Sequence, residues 1–162
     1  MKNIFSQRFI VVIGQICCGK SLFLKVANKN NFITVDWGEI FSDYIKDKTD
    51  RNEIHNTIIS TIQNKGRLFF VDRLISLVRN KYKEKPDTNG IVVSGARYPS
   101  ELSYILGQFK NSAVLYIHAE TNIRYKRCLK RKRITDPNDL FQFIRADLQE
   151  LKNGLSEVIY DF

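Results

Sequence analysis

A chain of 162 residues that is 43% hydrophobic and 12% aromatic can bury one substantial core, and its composition gives no sign of disorder. No apolar run approaches the length of a membrane span, and the basic N-terminus lacks the apolar segment and small-residue cleavage site of a secretory leader, so the sequence predicts a cytoplasmic, single-domain protein with no membrane partner. The formal charge of +9, from 26 basic and 17 acidic residues, suits a polyanionic ligand without choosing between nucleic acid and polyphosphate.

The first elements meet in RFIVVIGQICCGKSLFLKVA. Phe9 to Ile13 is an apolar run of strand length, and Leu22, Phe23 and Val26 recur at helical spacing. Between them GQICCGKS fits the whole G-x-x-x-x-G-K-[ST] template, so a strand feeds a tight loop that feeds a helix. The candidate nucleotide-binding residues are Gly14, Gln15, Ile16, Cys17, Cys18, Gly19, Lys20, Ser21 and Leu22. In such a loop backbone N–H groups and the helix terminus surround a β-phosphate; Lys20 would reach the β/γ-phosphates and Ser21 would ligate Mg²⁺ on ATP. The alternative, a glycine-rich structural turn with a solvated Lys20, leaves the GKS ending coincidental. Of the three cysteines, Cys17, Cys18 and Cys128, the adjacent pair is too cramped for an ordinary disulfide or a structural zinc spacing and reads as small fillers in the loop.

Next, Phe32 to Val35 forms a short strand ending at Asp36, a residue placed either in the crevice at the sheet edge, where it could orient an acceptor or bind Mg²⁺, or as the cap of a helix begun near Gly38 or Glu39. Glu53 to Asn80 reads as two helices broken near Gly66, the second burying Leu68, Phe69, Val71, Leu74, Leu77 and Val78. After the exposed KEKPDTNG, the stretch GIVVSGARYPSELSYILGQF gives strand, loop and helix, with Ser100 as the predicted cap, and AVLYIHA gives a fourth strand. TNIRYKRCLKRKR and DPNDLFQFIRADLQELK are two helices joined at ITDPND, where Asp136 or Asn138 would cap and Phe141, Ile144, Leu148 and Leu151 would form the inward stripe. EVIYDF is a fifth strand or the approach to one. Strands alternating with helices predict an α/β fold with a parallel sheet covered on both faces.

The chain is short for a helicase and lacks an NKxD-like guanine-specifying run, which leaves a small-molecule kinase as the favoured class. Its basic lid would be drawn from Lys126, Arg127, Lys130, Arg131 and Arg133, with Arg127 and Arg131 four apart on one helix face and able to stabilise charge on a moving phosphoryl group. An exposed basic helix and a nucleic-acid surface are the competing readings. Arg97 is either a phosphate ligand or the ion-pair partner of Glu101 at i,i+4. Tyr98 and Pro99 either shape an acceptor pocket or start a packed helix; Asp72 and Arg73 either serve the acceptor or are solvated. His55 and His118 form no metal motif.

Three segments, GQICCGKS, RNEIHNTIISTIQNKGRLFFVDRLI and SGARYPSELSYI, resemble the P-loop nucleoside and deoxynucleoside monophosphate kinase group, the last being similar to the D-G-x-R-x-P-x-E segment of archaeal proteins related to adenylate and dephospho-coenzyme A kinases. The resemblance implies a three-layer P-loop fold of four or five strands in the order 2-3-1-4-5 over residues 1–162, with an acceptor-side helical insertion at about 40–85 and a lid at about 122–145. It implies that Lys20, Asp36, Arg97, Arg127 and Arg131 are catalytic, that Ser21 and Asp36 hold Mg²⁺, and that ATP donates to a small phosphorylated acceptor, with monomer and homodimer both open. Ser94 stands where that group commonly has an acid, and Phe162 stands where relatives usually continue through a fifth strand. A dephospho-coenzyme A kinase-like enzyme and a non-catalytic nucleotide-binding or nucleic-acid-associated protein are the alternatives.

Overall fold

In the computed structural model, which describes residues 4–45, 51–96, 98–133 and 135–162, four strands form one parallel sheet. They are β1 (Arg8–Ile13), β2 (Ile33–Asp36), β3 (Ile91–Ser94) and β4 (Asn111–Tyr116), in the spatial order β2-β3-β1-β4. The expected order 2-3-1-4 is therefore observed. Register places Ser94 beside both Val12 and Asp36, so the ends of β2, β3 and β1 open onto one crevice at the start of the GQICCGKS loop.

The helices are α1 (Lys20–Lys29), α2 (Trp37–Ile45), α3 (Arg51–Lys65), α4 (Phe69–Glu84), α5 (Pro99–Gln108), α6 (Thr121–Arg131), α7 (Leu140–Glu150) and α8 (Ser156–Asp161). Alternation along β1 feeds two cores. Phe9, Val11 and Ile13 face the larger one, which gathers Trp37 and Ile40 of α2, Phe70, Val71, Leu74 and Val78 of α4, Leu102 and Ile105 of α5 and Val158 of α8. Val12 and Val92 face the smaller one with Leu24 and Ala27 of α1. Full burial of each large apolar side chain contributes about 1.5–3 kcal/mol, so the inner strands, buried on both sides, dominate this fold's stability.

Four local expectations are corrected. EVIYDF is not a fifth strand: Ser156–Asp161 is helical and drops Val158 onto the sheet. Tyr98, in extended backbone, rather than Ser100 precedes α5, because Pro99 with its fixed φ takes the first helical position. Asp139 rather than Asp136 or Asn138 caps α7, its carboxylate accepting from the Gln142 N–H at 2.7 Å. Finally, α7 turns Phe143, Asp147 and Glu150 inward and leaves Phe141, Ile144 and Leu148 exposed, with only Leu151 of the predicted stripe packed on the main core. An ion pair under the loop selects that face. The predicted break between α3 and α4 does fall at Gly66, although α4 buries Phe70, Ile75 and Tyr82 in addition to Val71, Leu74 and Val78.

Asp136 has a different task. It binds the Arg131 side chain through both carboxylate oxygens and accepts from the Arg133 N–H at 3.0 Å, closing the turn after α6. Burial alone would raise its carboxyl, but the Arg131 hydrogen bonds, the Arg133 N–H and both positive charges outweigh that and hold it below its usual 3.8. A carboxylate with a lowered folded pKa stabilises the fold above its unfolded value and loses that contribution as the pH falls through the folded one. Thermal unfolding of wild type and D136N between pH 7 and 2 is expected to show a gap at neutral pH that closes below about pH 4.

Candidate active site

The loop after β1 is forced by two glycines. Gly14 has φ +147°, and a Cβ there would sit 2.5 Å from the Ile117 carbonyl oxygen and 2.7 Å from the Cys18 Sγ. Gly19, at φ +127°, turns the chain into α1. G14A therefore costs about 1–3 kcal/mol from backbone strain alone, expected as a lowered urea midpoint with an unchanged m-value. Cys17, also in the loop, adopts a left-handed φ of +59° that non-glycine residues seldom take.

Helix α1 begins at Lys20, so the N–H groups of its first turn project from the loop with the positive end of the helix dipole behind them. The Lys20 ammonium folds back inside the loop, donating to the Gly14 and Gln15 carbonyls, the latter at 2.9 Å, and lying 3.7 Å from the Cys18 Sγ. Ser21 and Leu22 are exposed at the helix start. Two loop carbonyls thus hold one cation, an arrangement in which an anion can be exchanged for the loop's own oxygens as lysine's partner.

Two arginines of α6 hold the outer side of this loop. Arg127 donates to the Cys18 carbonyl at 2.9 Å. Arg124, 2% exposed, donates toward the Ile16 carbonyl at 3.4 Å, to the Ala119 carbonyl at 2.8 Å and to the Thr121 hydroxyl at 3.0 Å, and grips the Asp147 carboxylate of α7 through two bonds of 2.6 and 2.8 Å. The Gln15 amide donates to the same carboxylate at 2.9 Å. Arg124 and Asp147 were not legible as site residues: the lid reading attended to Lys126, Arg127, Lys130, Arg131 and Arg133, and the apolar stripe hid the acid. The available signal was Phe143, Asp147 and Glu150 at i, i+4 and i+7, one helical face with carboxylates beside an aromatic.

Across the crevice, Asp36 closes β2 and starts α2. Its Oδ1 accepts from the Gly38 N–H at 2.8 Å, while Glu39 Oε1 accepts from the Asp36 N–H at 2.9 Å, a reciprocal capping box. The capping reading of Asp36 is thus realised. Its other oxygen accepts from the Ser94 hydroxyl at 2.7 Å, bringing a carboxylate to the end of β3 from the neighbouring strand. Glu39 is held in turn by Lys81 at 2.7 Å.

The remaining candidates are dispersed. Arg131 is engaged by Asp136. Arg73 pairs with Asp43 at 2.8 Å and lies over the Tyr44 ring, tying α4 to α2, while Asp72 is exposed. His118 is exposed beside Glu120, and among the described residues no group of His, Cys, Asp and Glu is arranged to hold a metal ion by itself. Arg97, and with it the expected pairing to Glu101, lies outside the described residues. Among the described residues no helix is long and apolar enough to cross a membrane.

Solved structures share this architecture. A sugar kinase from a Janibacter species superposes with a TM-score of 0.57 at 14% identity, covering 90% of this chain and 78% of that one. A shikimate kinase from Bacteroides thetaiotaomicron gives 0.50 at 14% identity, covering 94% and 83%. A chain of the Pnkp1/Rnl/Hen1 RNA repair complex gives 0.53 at 13% identity over 99% of this chain, which spans only 48% of that one. The chain has the fold of the P-loop kinases. No family model matches it, but a UPF0200 protein of Thermoplasma acidophilum is 31% identical over 150 residues, 93% of this chain and 81% of its relative. The chain belongs to the UPF0200 family.

Proposed function

We propose that this protein binds ATP with Mg²⁺ on the GQICCGKS loop and transfers the γ-phosphate to a small acceptor, a nucleoside or deoxynucleoside monophosphate. The observation that carries the reading is the Lys20 ammonium held inside a glycine-turned loop at the head of α1, with Arg127 on the loop's Cys18 carbonyl. A Mg²⁺ ion would supply charge neutralisation of the phosphate oxygens, and the donors present fit it: the exposed Ser21 hydroxyl and the Asp36 carboxylate, which Ser94 orients from the strand that usually carries the acid itself. Lys20 would then trade two carbonyl partners for phosphate oxygens, and the α1 N–H groups would donate to the remaining ones. Arg127 stands close enough to leave the Cys18 carbonyl for the transferring group, while Arg124 stays fixed under the loop by Asp147.

In this reading the helical segment at about 40–85 faces the acceptor and residues about 122–145 act as the lid, Arg97 meeting the acceptor phosphate. An acceptor that is already ionised needs no strong base, which suits an Asp36 whose oxygens are both engaged in hydrogen bonds. A second reading follows from the same residue. Asp36 at the mouth of the crevice could take the proton of an alcohol, and the named neighbours include a sugar kinase and a shikimate kinase; dephospho-coenzyme A is the alcohol acceptor closest to the sequence resemblance. ATP consumption followed across ribo- and deoxyribonucleoside monophosphates, with dephospho-coenzyme A and simple sugars in parallel, decides between them. Turnover of a monophosphate supports the assignment, and preferential turnover of an alcohol overturns the acceptor while leaving the donor site standing. D36N is expected to lower kcat about tenfold to a hundredfold with a monophosphate and more with an alcohol, because only the latter needs a base.

A further inference from the structure

The loop carries one feature that phosphate binding does not use. Cys17 holds a left-handed backbone conformation and packs with Ile16 against Cys128 of α6 and Phe143 of α7. The two side chains thus share one cluster between the loop and α6. The neighbouring Cys18 is turned the other way, toward Gly14 and the Lys20 ammonium, so the two adjacent cysteines are not partners of one another. All three are free thiols. Cys17 is half-buried, whereas Cys128 is fully buried at the back of the pair.

The geometry points to Cys17 and Cys128 as a redox modification site, a thiol pair that a hydroperoxide converts to a disulfide joining the loop to α6. The Cys17 thiolate attacks the peroxide, the O–O bond breaks, an alcohol or water leaves, and Cys17 carries a sulfenic acid. The Cys128 sulfur then attacks that sulfur; the S–O bond breaks, and the hydroxide leaves with the Cys128 proton as water. Two thiols and one peroxide become one disulfide, one alcohol or water from the peroxide, and one further water. The order follows from exposure. Burial, reinforced by the Cys17 thiol alongside, pushes the Cys128 thiol up to about 12, so the half-buried Cys17 meets the oxidant first.

The consequence, which rests on the nucleotide-binding reading, is control of that site. The bridge would fix α6 to the loop one residue from both Cys18 and Arg127, at the point where the loop must relax its grip on Lys20 to accept phosphate. Oxidised protein is expected to bind ATP at least tenfold more weakly than reduced protein, with recovery in dithiothreitol.

The test treats purified protein with a small excess of hydrogen peroxide, alkylates free thiols, maps a non-reducing digest by mass spectrometry and titrates Mg²⁺–ATP into both forms. A Cys17–Cys128 linked peptide two hydrogens lighter, with Cys18 alkylated and ATP affinity reversibly reduced, is the expected result. C128A should bind ATP normally when reduced and no longer respond to peroxide. Three alkylated thiols, a Cys17–Cys18 or intermolecular bridge, or an intramolecular bridge that leaves ATP affinity unchanged would overturn the proposal. A linked peptide in a protein that binds ATP in neither form supports the modification site and refutes the nucleotide reading instead.

Discussion

Replacing Arg124 with alanine lowers the free energy of unfolding by about 3–5 kcal/mol, because it leaves the buried Asp147 carboxylate without its counter-charge. Domains of this size are stable by about 5–15 kcal/mol, so the loss takes a large share of the total. Asp147 is 7% exposed and would keep only the Gln15 amide at 2.9 Å. The loop loses as well: the donors to the Ile16 and Ala119 carbonyls go with the guanidinium. D147A should cost a similar amount. The paired replacement R124M/D147L should recover much of the loss, since a buried ion pair exchanged for apolar groups of similar volume is often neutral. Urea unfolding of wild type, R124M, D147L and R124M/D147L forms a double-mutant cycle, and a coupling near zero would show that the pair is not what anchors α7 beneath the loop.

K20A is expected to reduce kcat/KM for phosphoryl transfer by about a hundredfold to a thousandfold, the usual loss when one preorganised donor to a charged transition state is removed. Folding is affected too. Lys20 satisfies two loop carbonyls; in its absence the one at half-buried Gln15 turns to water, while the one at buried Gly14 loses its donor, so the urea midpoint should fall by the equivalent of about 1–3 kcal/mol. R127A should lower kcat more than it weakens ATP binding if its guanidinium moves from the Cys18 carbonyl to the transferring group, and should leave both unchanged if it only braces the loop.

The inner strands could be read directly because they are largely buried on both faces: IVVI and the IVV before Ser94 are continuous β-branched runs. The loop was equally legible, its glycines demanded by positive φ at Gly14 and Gly19. The C-terminal third was harder for a physical reason. There the inward face of α7 is chosen by the Arg124–Asp147 pair rather than by apolar periodicity, so Phe141, Ile144 and Leu148 mimic a core stripe while facing outward. EVIYDF likewise has strand composition, but its Val158 is buried from a short helix beyond the turn at Leu151–Leu155. At the site, Asp36 could be placed from sequence at a strand end, yet its bond to Ser94 depends on β2 and β3 being neighbours, a register that spacing alone does not reveal. The same holds for Cys17 and Cys128, which only the docking of α6 on the loop brings together.

The claim on which the rest depends is that the GQICCGKS loop holds a nucleoside triphosphate. Calorimetric titration of Mg²⁺–ATP into the reduced wild-type protein and into K20A, with folding of both verified by urea unfolding, tests it most directly. The account predicts saturable one-to-one binding by the wild type, weakened at least tenfold in K20A. Equal affinity in the two proteins, or no binding by a folded wild type, would contradict it.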